Sequence, residues 1–310
     1  MAPSFTEHHI PFTVPGVDKP CFTYCKVYGN LNETERRPLV VVHGGPGMNH
    51  DYLLPLADLA DDGQTVVIFY DQFGGGRSSH LPEKNGDTTF WVEELFLTEF
   101  DNVVRYLGVQ DNYNVLGQSW GGMLMGRWAS RQPRGLHRLV IADSPASMEL
   151  WVEAANHLLS LLPQDVQDTL KKHENEGTTD SQEYKDAMQV FYDRHVCRVQ
   201  PTPEIVAIGF RMLEEDPTVY YTMNGPSEFH ITGPLKEWSM LDDAHKILVP
   251  TLLINGFYDE ARDSVVAPWF QRIPKARWIT FPNSSHMPHI EEKERYLEVV
   301  REFFYGPYSE

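Results

Sequence analysis

The chain has few cysteines and no long hydrophobic run. Its 310 residues include three cysteines, Cys21, Cys25 and Cys197, with no Cys-x-x-Cys spacing. This odd, scattered set predicts neither a disulfide framework nor a zinc site, and Cys21 and Cys25 are expected to fill the core. No segment approaches the ~18 consecutive apolar residues of a membrane-spanning helix. Residues 1–14 contain no basic region followed by an apolar one, so no secretory signal is visible and a reduced, cytoplasmic protein is expected.

Basic residues are also scarce. Lys and Arg total 26 against 44 Asp and Glu, which gives a formal net charge of -18 at pH 7. We therefore expect no binding to nucleic acid or to an anionic membrane, because both are negatively charged. An acidic surface mainly favours solubility, and by itself it identifies no substrate. The sequence does not indicate an oligomeric state.

Hydrophobic residues make up 41% of the chain, which is enough for a sizeable core. Short apolar runs alternate with helical patterns, and this alternation predicts an α/β fold with a mainly parallel sheet. The runs at 38–42 and 65–70 are apolar throughout, as expected for strands that are covered on both faces. Other strands are predicted at 21–28, 113–116, 136–142, 247–256 and 276–281, and helices at 52–60, 90–107 and 291–304.

The pattern changes between residues 147 and 238. Apolar residues there recur at helical spacing in 150–162, 166–173 and 184–199, and strand-like runs are missing. A polar loop separates two of these helices at 175–181. We therefore predict a helical cap that is inserted into the sheet domain. The predicted domains are a first core segment at 1–146, the cap at 147–238 and a second core segment at 239–310.

A Gly-x-Ser-x-Gly motif at 117–121 places Ser119 between the apolar run at 113–116 and a helical segment at 123–129. Strand, sharp turn and helix are the context of a nucleophile elbow, in which a strained turn exposes the serine hydroxyl. Glycine on either side lacks a Cβ, so strand and helix can approach closely. The motif also recurs by chance as a plain glycine-rich turn, and the rest of the chain decides between the two interpretations.

A serine hydroxyl is a poor nucleophile until a base takes its proton. The predicted strand at 247–256 is followed by Asp259, and the last predicted strand is followed by His286. Both residues lie at carboxyl ends of parallel strands, where ligands bind in open α/β sheets, and hydrolases with such an elbow have the chain order Ser, Asp, His. We predict that Asp259 orients His286, which accepts the Ser119 proton and returns it to the leaving group.

Three other residues compete for these roles or lie near them. Asp143, after the strand at 136–142, is an alternative acid. His289 could compete with His286 as the base, but its place near a helix start favours a surface or capping role. His43 precedes a glycine turn, and we interpret it as a structural histidine that is hydrogen-bonded beneath this turn.

Acyl transfer needs backbone N–H donors that point at the developing oxyanion. The sequence His-Gly-Gly-Pro-Gly at 43–47 follows the first central strand, where a loop can supply one donor. We expect the Gly45 N–H to be this donor and the Trp120 N–H to be the second. A plain turn would not explain why this loop and the serine motif occur in one chain.

Four motifs together resemble the proline iminopeptidase family of serine peptidases, which are α/β-hydrolases. They are His-Gly-Gly-Pro-Gly at 43–47, Tyr-Asp-Gln-Phe-Gly-Gly-Gly-Arg-Ser at 70–78, Gly-Gln-Ser-Trp-Gly-Gly at 117–122 and Asn-Gly-Pro-Ser-Glu-Phe at 224–229. They span the predicted sheet domain and cap, so the resemblance implies an α/β-hydrolase fold with a helical cap. Many relatives have arginine at the position of Phe73. The phenylalanine form resembles the branch of the tricorn-interacting aminopeptidase, which accepts a wider range of N-terminal residues than proline.

The resemblance also implies roles for two acids. Glu228 matches a cap glutamate that binds the free α-amino group of the substrate, and Glu260 matches its partner. A pair of carboxylates makes a charge-assisted anchor that an internal peptide bond cannot satisfy. Without the resemblance, Glu228 would be interpreted as a solvated loop charge and Glu260 as a surface neighbour of the triad acid.

The implied function is that of a serine aminopeptidase that needs no metal or cofactor. It would release N-terminal residues, proline and other apolar ones, from short peptides or amino-acid amides through an acyl-enzyme. The same residues would also suit an amidase, esterase or lactonase with a small-molecule substrate. A binding protein without activity would not need the complete triad. By position alone, the candidates for a side-chain pocket are Trp120, Phe73, Phe229 and Tyr258.

Overall fold

The computed structural model describes residues 4–306, and an eight-stranded sheet lies at the centre of this part of the chain. The strands are β1 (Phe5–Phe12), β2 (Cys21–Tyr28), β3 (Leu39–Val42), β4 (Val67–Tyr70), β5 (Tyr113–Gln118), β6 (Leu136–Ala142), β7 (Thr251–Gly256) and β8 (Ala276–Phe281). Their order across the sheet is β1-β2-β4-β3-β5-β6-β7-β8. Only β1 with β2 and β2 with β4 pair antiparallel. The prediction of a mainly parallel sheet is confirmed.

Ten α-helices accompany the sheet within the described residues. They are α1 (Glu93–Tyr106), α2 (Trp120–Ser130), α3 (Met148–Leu159), α4 (Gln164–Glu176), α5 (Gln182–His195), α6 (Glu204–Glu215), α7 (Thr218–Met223), α8 (Asp263–Arg272), α9 (Pro288–Glu291) and α10 (Lys293–Tyr305). The same part of the chain also contains four 3-10 helices, at Asp51–Ala60, Pro82–Lys84, Pro234–Glu237 and Ala244–Lys246.

Side chains of the central strands alternate between two hydrophobic layers. In β3, Val40 and Val42 pack in the layer that contains α1, α2 and α8, whereas Leu39 and Val41 pack in the layer of the 3-10 helix Asp51–Ala60 and α10. All four side chains are buried, and each buried Val or Leu stabilises the fold by ~1.5–3 kcal/mol. Because both faces are covered, the strand sequence is apolar without alternation.

Helices α3 to α7 lie between β6 and β7 in the chain. Residues 147 and 239 pair as an isolated antiparallel bridge, and the Met148 N–H donates to the Trp238 carbonyl at 3.0 Å. The Met240 N–H donates to the Ala146 carbonyl at 2.9 Å. These bonds lie where the sequence predicts the cap to begin and end; the division into domains stays a prediction. Helix α6 packs on the 3-10 helix Asp51–Ala60 of the core.

Several elements differ from the expectation. The edge strand β1 and helices α6, α7 and α8 are not among the predicted elements. The predicted helix at 52–60 is a 3-10 helix with Pro55 inside it. Cys21, Cys25 and Cys197 are free and buried, and the burial expected for Cys21 and Cys25 is confirmed. Within residues 4–306, no helix has the length and apolar character needed to cross a membrane.

Candidate active site

Ser119 lies at the turn between β5 and α2, with φ 56° and ψ -123°. A positive φ is rare for a residue that has a Cβ, and it is the strained turn expected of a nucleophile elbow. A Cβ on Gly117 would lie 2.2 Å from the Gly121 carbonyl oxygen, and a Cβ on Gly121 would lie 2.2 Å from the Val42 carbonyl oxygen. The elbow therefore closes only with glycine at both positions.

His286 and Asp259 form a hydrogen-bonded pair, with 2.7 Å between Nδ1 and Oδ1. The same Asp259 oxygen accepts a hydrogen bond from the Ala261 N–H at 2.8 Å. The Gln118 side chain donates to the His286 carbonyl at 3.0 Å and so links the base to the elbow strand. Burial alone would lower the pKa of His286, but the charge and the hydrogen bond of Asp259 outweigh burial, and the pKa is raised. The imidazole is therefore a stronger base than a free histidine side chain.

Ser119 and His286 lie on the wall of one cavity of about 810 Å³. Loops at the carboxyl end of the sheet and residues of α5, α6 and α7 line this cavity. The volume falls within the ~300–1,000 Å³ of sites that bind small organic ligands. The structure thus brings the predicted nucleophile and base together on a cavity that lies between the sheet and helices α5 to α7.

The glycine loop after β3 lies against the elbow. A Cβ on Gly44 would be 2.9 Å from the Ser119 Cβ, and Gly45, with φ 111°, lines the cavity. His43 Nε2 accepts a hydrogen bond from the Gln72 N–H at 2.9 Å, so its Nδ1 carries the proton and donates to the Gly44 carbonyl at 2.8 Å. Burial lowers the pKa of His43 to about 4. This histidine is neutral and structural, as the sequence predicts.

Gln72 connects the segments that carry the two predicted oxyanion donors. Its Nε2 donates to the His43 carbonyl at 2.7 Å, two residues before Gly45, and its Oε1 accepts from the Trp120 indole N–H at 2.9 Å. Trp120 directly follows Ser119 and begins α2. Both backbone positions therefore border the nucleophile; that their N–H groups bind an oxyanion stays a prediction.

Glu228 and Glu260 lie on the cavity wall near the base. Glu260 Oε1 is 4.0 Å from His286 Nε2, and neither Glu260 oxygen has a hydrogen-bond partner among the described residues. Glu228 Oε1 accepts a hydrogen bond from the Tyr220 hydroxyl at 2.7 Å. Burial raises the pKa of both carboxyl groups, and the charges of Glu228 and Asp259 raise that of Glu260 further. Neighbouring buried carboxylates of this kind favour a cation beside them.

The predicted side-chain pocket is wrong. Phe73 and Trp120 are at most 1% exposed and pack in the sheet core, Phe229 is buried within the cap, and Tyr258 is 39% exposed. None of these four residues lines the cavity. Nearness in sequence to the catalytic motifs did not place these residues in the site, because three of them pack in the hydrophobic clusters instead. The aromatic residues that line the cavity are Tyr52, Tyr192, Phe210, Tyr220 and Tyr221.

The two competing residues are both buried. Asp143 has φ 52°, and its carboxyl group is buried beside that of Asp259. Burial and the charge of Asp259 raise the pKa of Asp143 well above its usual range, which favours its neutral form. The surface or capping role predicted for His289 is wrong, because it is 1% exposed and its Nε2 lies 3.1 Å from the Tyr52 carbonyl oxygen. Burial lowers the pKa of His289 to about 3.

Tyr52 is a site residue that the sequence did not reveal. Its hydroxyl donates to the Gln118 side-chain oxygen at 2.6 Å and accepts a hydrogen bond from the Gly44 N–H at 2.6 Å. It therefore joins the glycine loop to the elbow strand. In the sequence, Tyr52 lies in an apolar helical segment and cannot be distinguished from an ordinary core residue.

Comparisons with known proteins agree with this geometry. A family model described as alpha/beta hydrolase fold matches residues 37–293. The chain is 38% identical to a proline iminopeptidase of Saccharolobus solfataricus, over 88% of this chain and 86% of that protein. A proline iminopeptidase of Lactobacillus delbrueckii subsp. lactis is 34% identical, over 91% of this chain and 94% of that protein.

Two solved structures are similar in both sequence and fold. The crystal structure of VinJ is 46% identical with a TM-score of 0.92, and the match covers 97% of this chain and 98% of that one. The proline iminopeptidase of Mycobacterium smegmatis is 45% identical with a TM-score of 0.82, over 95% of this chain and 97% of that one. The chain therefore belongs to the α/β-hydrolases and, within them, to the proline iminopeptidase family of serine hydrolases.

Proposed function

We propose that this protein is a serine aminopeptidase that releases an N-terminal residue, proline among others, from short peptides. The observation that carries the proposal is the pair Glu228 and Glu260, which lies in the same cavity as Ser119 and His286. The relatives named proline iminopeptidase support a peptide substrate. The location in the cytoplasm and the lack of binding to nucleic acid or membrane stay predictions.

In the proposed reaction, Ser119 attacks the first peptide carbonyl of the substrate. His286 takes the hydroxyl proton at Nε2, and Asp259 stabilises the imidazolium through the Nδ1 hydrogen bond. The backbone N–H groups of Gly45 and Trp120 are the proposed oxyanion donors. When the tetrahedral intermediate collapses, the proton passes from His286 to the leaving amine. Water then attacks the acyl-enzyme carbonyl. His286 takes the proton of this water and returns it to Ser119 when the product acid leaves.

The two glutamates determine where the chain is cut. A substrate ammonium that binds between Glu228 and Glu260 forms charge-assisted hydrogen bonds that a neutral internal amide cannot form. Because Glu260 Oε1 is 4.0 Å from His286 Nε2, the bound amine lies close to the base. Only the first peptide carbonyl can then reach the nucleophile, so the proposed activity is that of an exopeptidase.

The test is the hydrolysis of aminomethylcoumarin derivatives of Pro, Ala, Leu and Phe, each with a free and an N-acetylated amine. We expect cleavage of the free-amine substrates only, and Ser119→Ala is expected to abolish it without unfolding the protein. Glu228→Gln and Glu260→Gln are each expected to raise KM at least tenfold, because each removes a charged partner of the ammonium. Equal cleavage of acetylated and free substrates would refute the aminopeptidase.

A second substrate class is favoured by the size of the cavity. The cavity has a volume of about 810 Å³ and is lined by residues of α5 and α6 as well as by Ser119 and His286, so the site has room for a large leaving group. An amidase, esterase or lactonase that acts on a small molecule would use the same triad. A protein that reacts with a fluorophosphonate at Ser119 but cleaves none of the coumarin substrates would favour this class.

A further inference from the structure

Trp151 contacts both parts of the proposed site. Its indole N–H donates to the Glu228 backbone carbonyl at 2.7 Å. Its ring lies edge-to-face against the His286 imidazole, with 5.8 Å between the ring centroids and an interplanar angle of 73°. Trp151 belongs to α3, the first helix of the cap segment, and is 3% exposed. One side chain therefore contacts both the backbone of the proposed amine-binding acid and the ring of the base.

Glu228 depends on such contacts because its segment, residues 224–233, has no regular secondary structure. The Asn224 carbonyl accepts hydrogen bonds from two N–H groups at the far end of this loop, both at 2.9 Å. Between these ends, the Tyr220 hydroxyl holds the Glu228 carboxylate. The Trp151 indole N–H donates to the Glu228 backbone carbonyl. Among these contacts, only Trp151 also touches the catalytic histidine.

We propose that Trp151 is a positioning residue that fixes the distance between the amine-binding carboxylate of Glu228 and the base His286. The proposal rests on the proposed function of Glu228. In an aminopeptidase substrate the α-nitrogen and the scissile carbonyl carbon are two bonds apart, ~2.5 Å. The amine anchor and the Ser119–His286 pair must therefore keep a fixed separation. After a loop shift of about 1 Å, a substrate bound through its amine would no longer hold its carbonyl carbon within reach of Ser119.

Trp151→Phe removes the N–H donor but leaves an aromatic ring beside His286. The Glu228 carbonyl loses its buried partner, so the loop is expected to shift. We expect kcat/KM for prolyl-aminomethylcoumarin to fall about three- to tenfold, the effect of one hydrogen bond, with most of the change in KM. The rate of Ser119 labelling by a fluorophosphonate, which carries no amine, is expected to stay within about twofold of the wild type.

Two further variants of the protein complete the test. Benzothienylalanine at position 151 has the shape of tryptophan without the N–H donor, so it isolates the hydrogen bond even if Trp151→Phe folds poorly. Trp91→Phe is the matched control, because the Trp91 indole N–H also donates to a backbone carbonyl, that of Lys84 at 3.0 Å, and the side chain is fully buried outside the cavity. This control is expected to keep the wild-type KM.

The outcomes separate this inference from the proposed function. If the wild type cleaves free and acetylated substrates equally, the proposed function fails. If the wild type requires the free amine and both position-151 variants keep its KM, only the role of Trp151 is refuted. An equal loss of coumarin cleavage and fluorophosphonate labelling would also refute it, because Trp151 would then support the whole site rather than amine recognition.

Discussion

At the scale of single residues, two buried aspartates at neighbouring strand ends differ in their surroundings. Asp259 bonds to His286 at 2.7 Å, whereas burial and the nearby Asp259 charge raise the pKa of Asp143 and so favour its protonated form. We therefore expect Asp143→Asn to keep kcat within about threefold of the wild type, since asparagine is also neutral and similar in shape. Asp259→Asn is expected to lower kcat by about 10³–10⁴-fold, the loss typical of a missing triad acid. Turnover of prolyl-aminomethylcoumarin by both variants measures this difference.

Circular dichroism and thermal unfolding are the controls for this pair of variants. The reverse result, with Asp143→Asn inactive and Asp259→Asn active, would assign the triad acid to the end of β6. It would also contradict the neutral state of Asp143.

The rate of Ser119 labelling depends on pH through the protonation of His286, and the charge of Glu228 shifts this dependence. The base is active when neutral, so Ser119 labelling by a fluorophosphonate rises as the pH rises through the His286 pKa. Burial lowers this pKa, but the negative charges of Asp259 and, more weakly, of Glu228 raise it above its ordinary value. Glu228→Gln removes one of these charges, so we expect the rise in labelling to move to lower pH. Labelling rates measured from pH 4 to pH 9 check the direction.

Glu149→Gln is a matched control for this shift, because Glu149 also belongs to the cap segment, in the first turn of α3, and does not line the cavity. Its labelling profile is expected to match that of the wild type. A Glu228→Gln profile that moved to higher pH would contradict the electrostatic coupling between Glu228 and His286.

How far single residues could be predicted depends on what positions them. Asp259 and His286 follow strands of a parallel sheet, and strand ends meet at one edge regardless of the loops between them. Glu228 lies in an irregular cap segment, so only the resemblance to a family pointed to it. The side-chain pocket could not be predicted, because its residues depend on how the cap helices pack onto the core.

At the scale of elements, the β5–α2 elbow depends on contacts that only glycine permits. Gly121 lies in α2, where alanine would favour the helix by ~1 kcal/mol. A Cβ there would nevertheless lie 2.2 Å from the Val42 carbonyl oxygen. We expect Gly121→Ala to separate α2 from β3 and to abolish Ser119 labelling. The labelling assay and thermal unfolding measure the two effects.

Gly108→Ala is the control for the elbow variant. Gly108 has φ 72°, and beyond its two chain neighbours no atom of the described residues lies within 4 Å of the position that a Cβ would occupy. Alanine there is therefore expected to cost ~1–2 kcal/mol of stability through backbone strain alone. Labelling of Ser119 should remain. If Gly121→Ala labels as well as Gly108→Ala does, the close approach of α2 and β3 is not required for the elbow.

The predicted and missed elements differ in how they are buried. β3 and β4 are buried on both faces, and their unbroken apolar runs are easily recognised in the sequence. β1 is an edge strand with charged and exposed residues in its first half, so its sequence has no strand pattern. In α6 the apolar residues recur at helical spacing, yet only Val206 and Gly209 are buried, because Ala207, Phe210 and Leu213 line the cavity.

At the scale of the whole molecule, the net charge of -18 and the two acids in the cavity both attract a cationic substrate. A negative surface potential attracts a cationic substrate over a distance that salt reduces, with a screening length of ~30 Å at 0.01 M and ~3 Å at 1 M. Prolyl-aminomethylcoumarin with a free amine is a cation, so we expect its kcat/KM to fall several-fold between 0.01 M and 0.5 M NaCl, mainly through KM.

The neutral fluorophosphonate is the control for this effect, because it reacts with the same Ser119 without a charge to attract. Its labelling rate is expected to change less than twofold over the same range of salt. Glu228→Gln and Glu260→Gln each remove one of 44 acidic residues, so a salt effect that comes from the whole surface should persist in both variants. If the salt effect disappears in either variant, the attraction comes from the cavity acids alone and the surface charge contributes only to solubility.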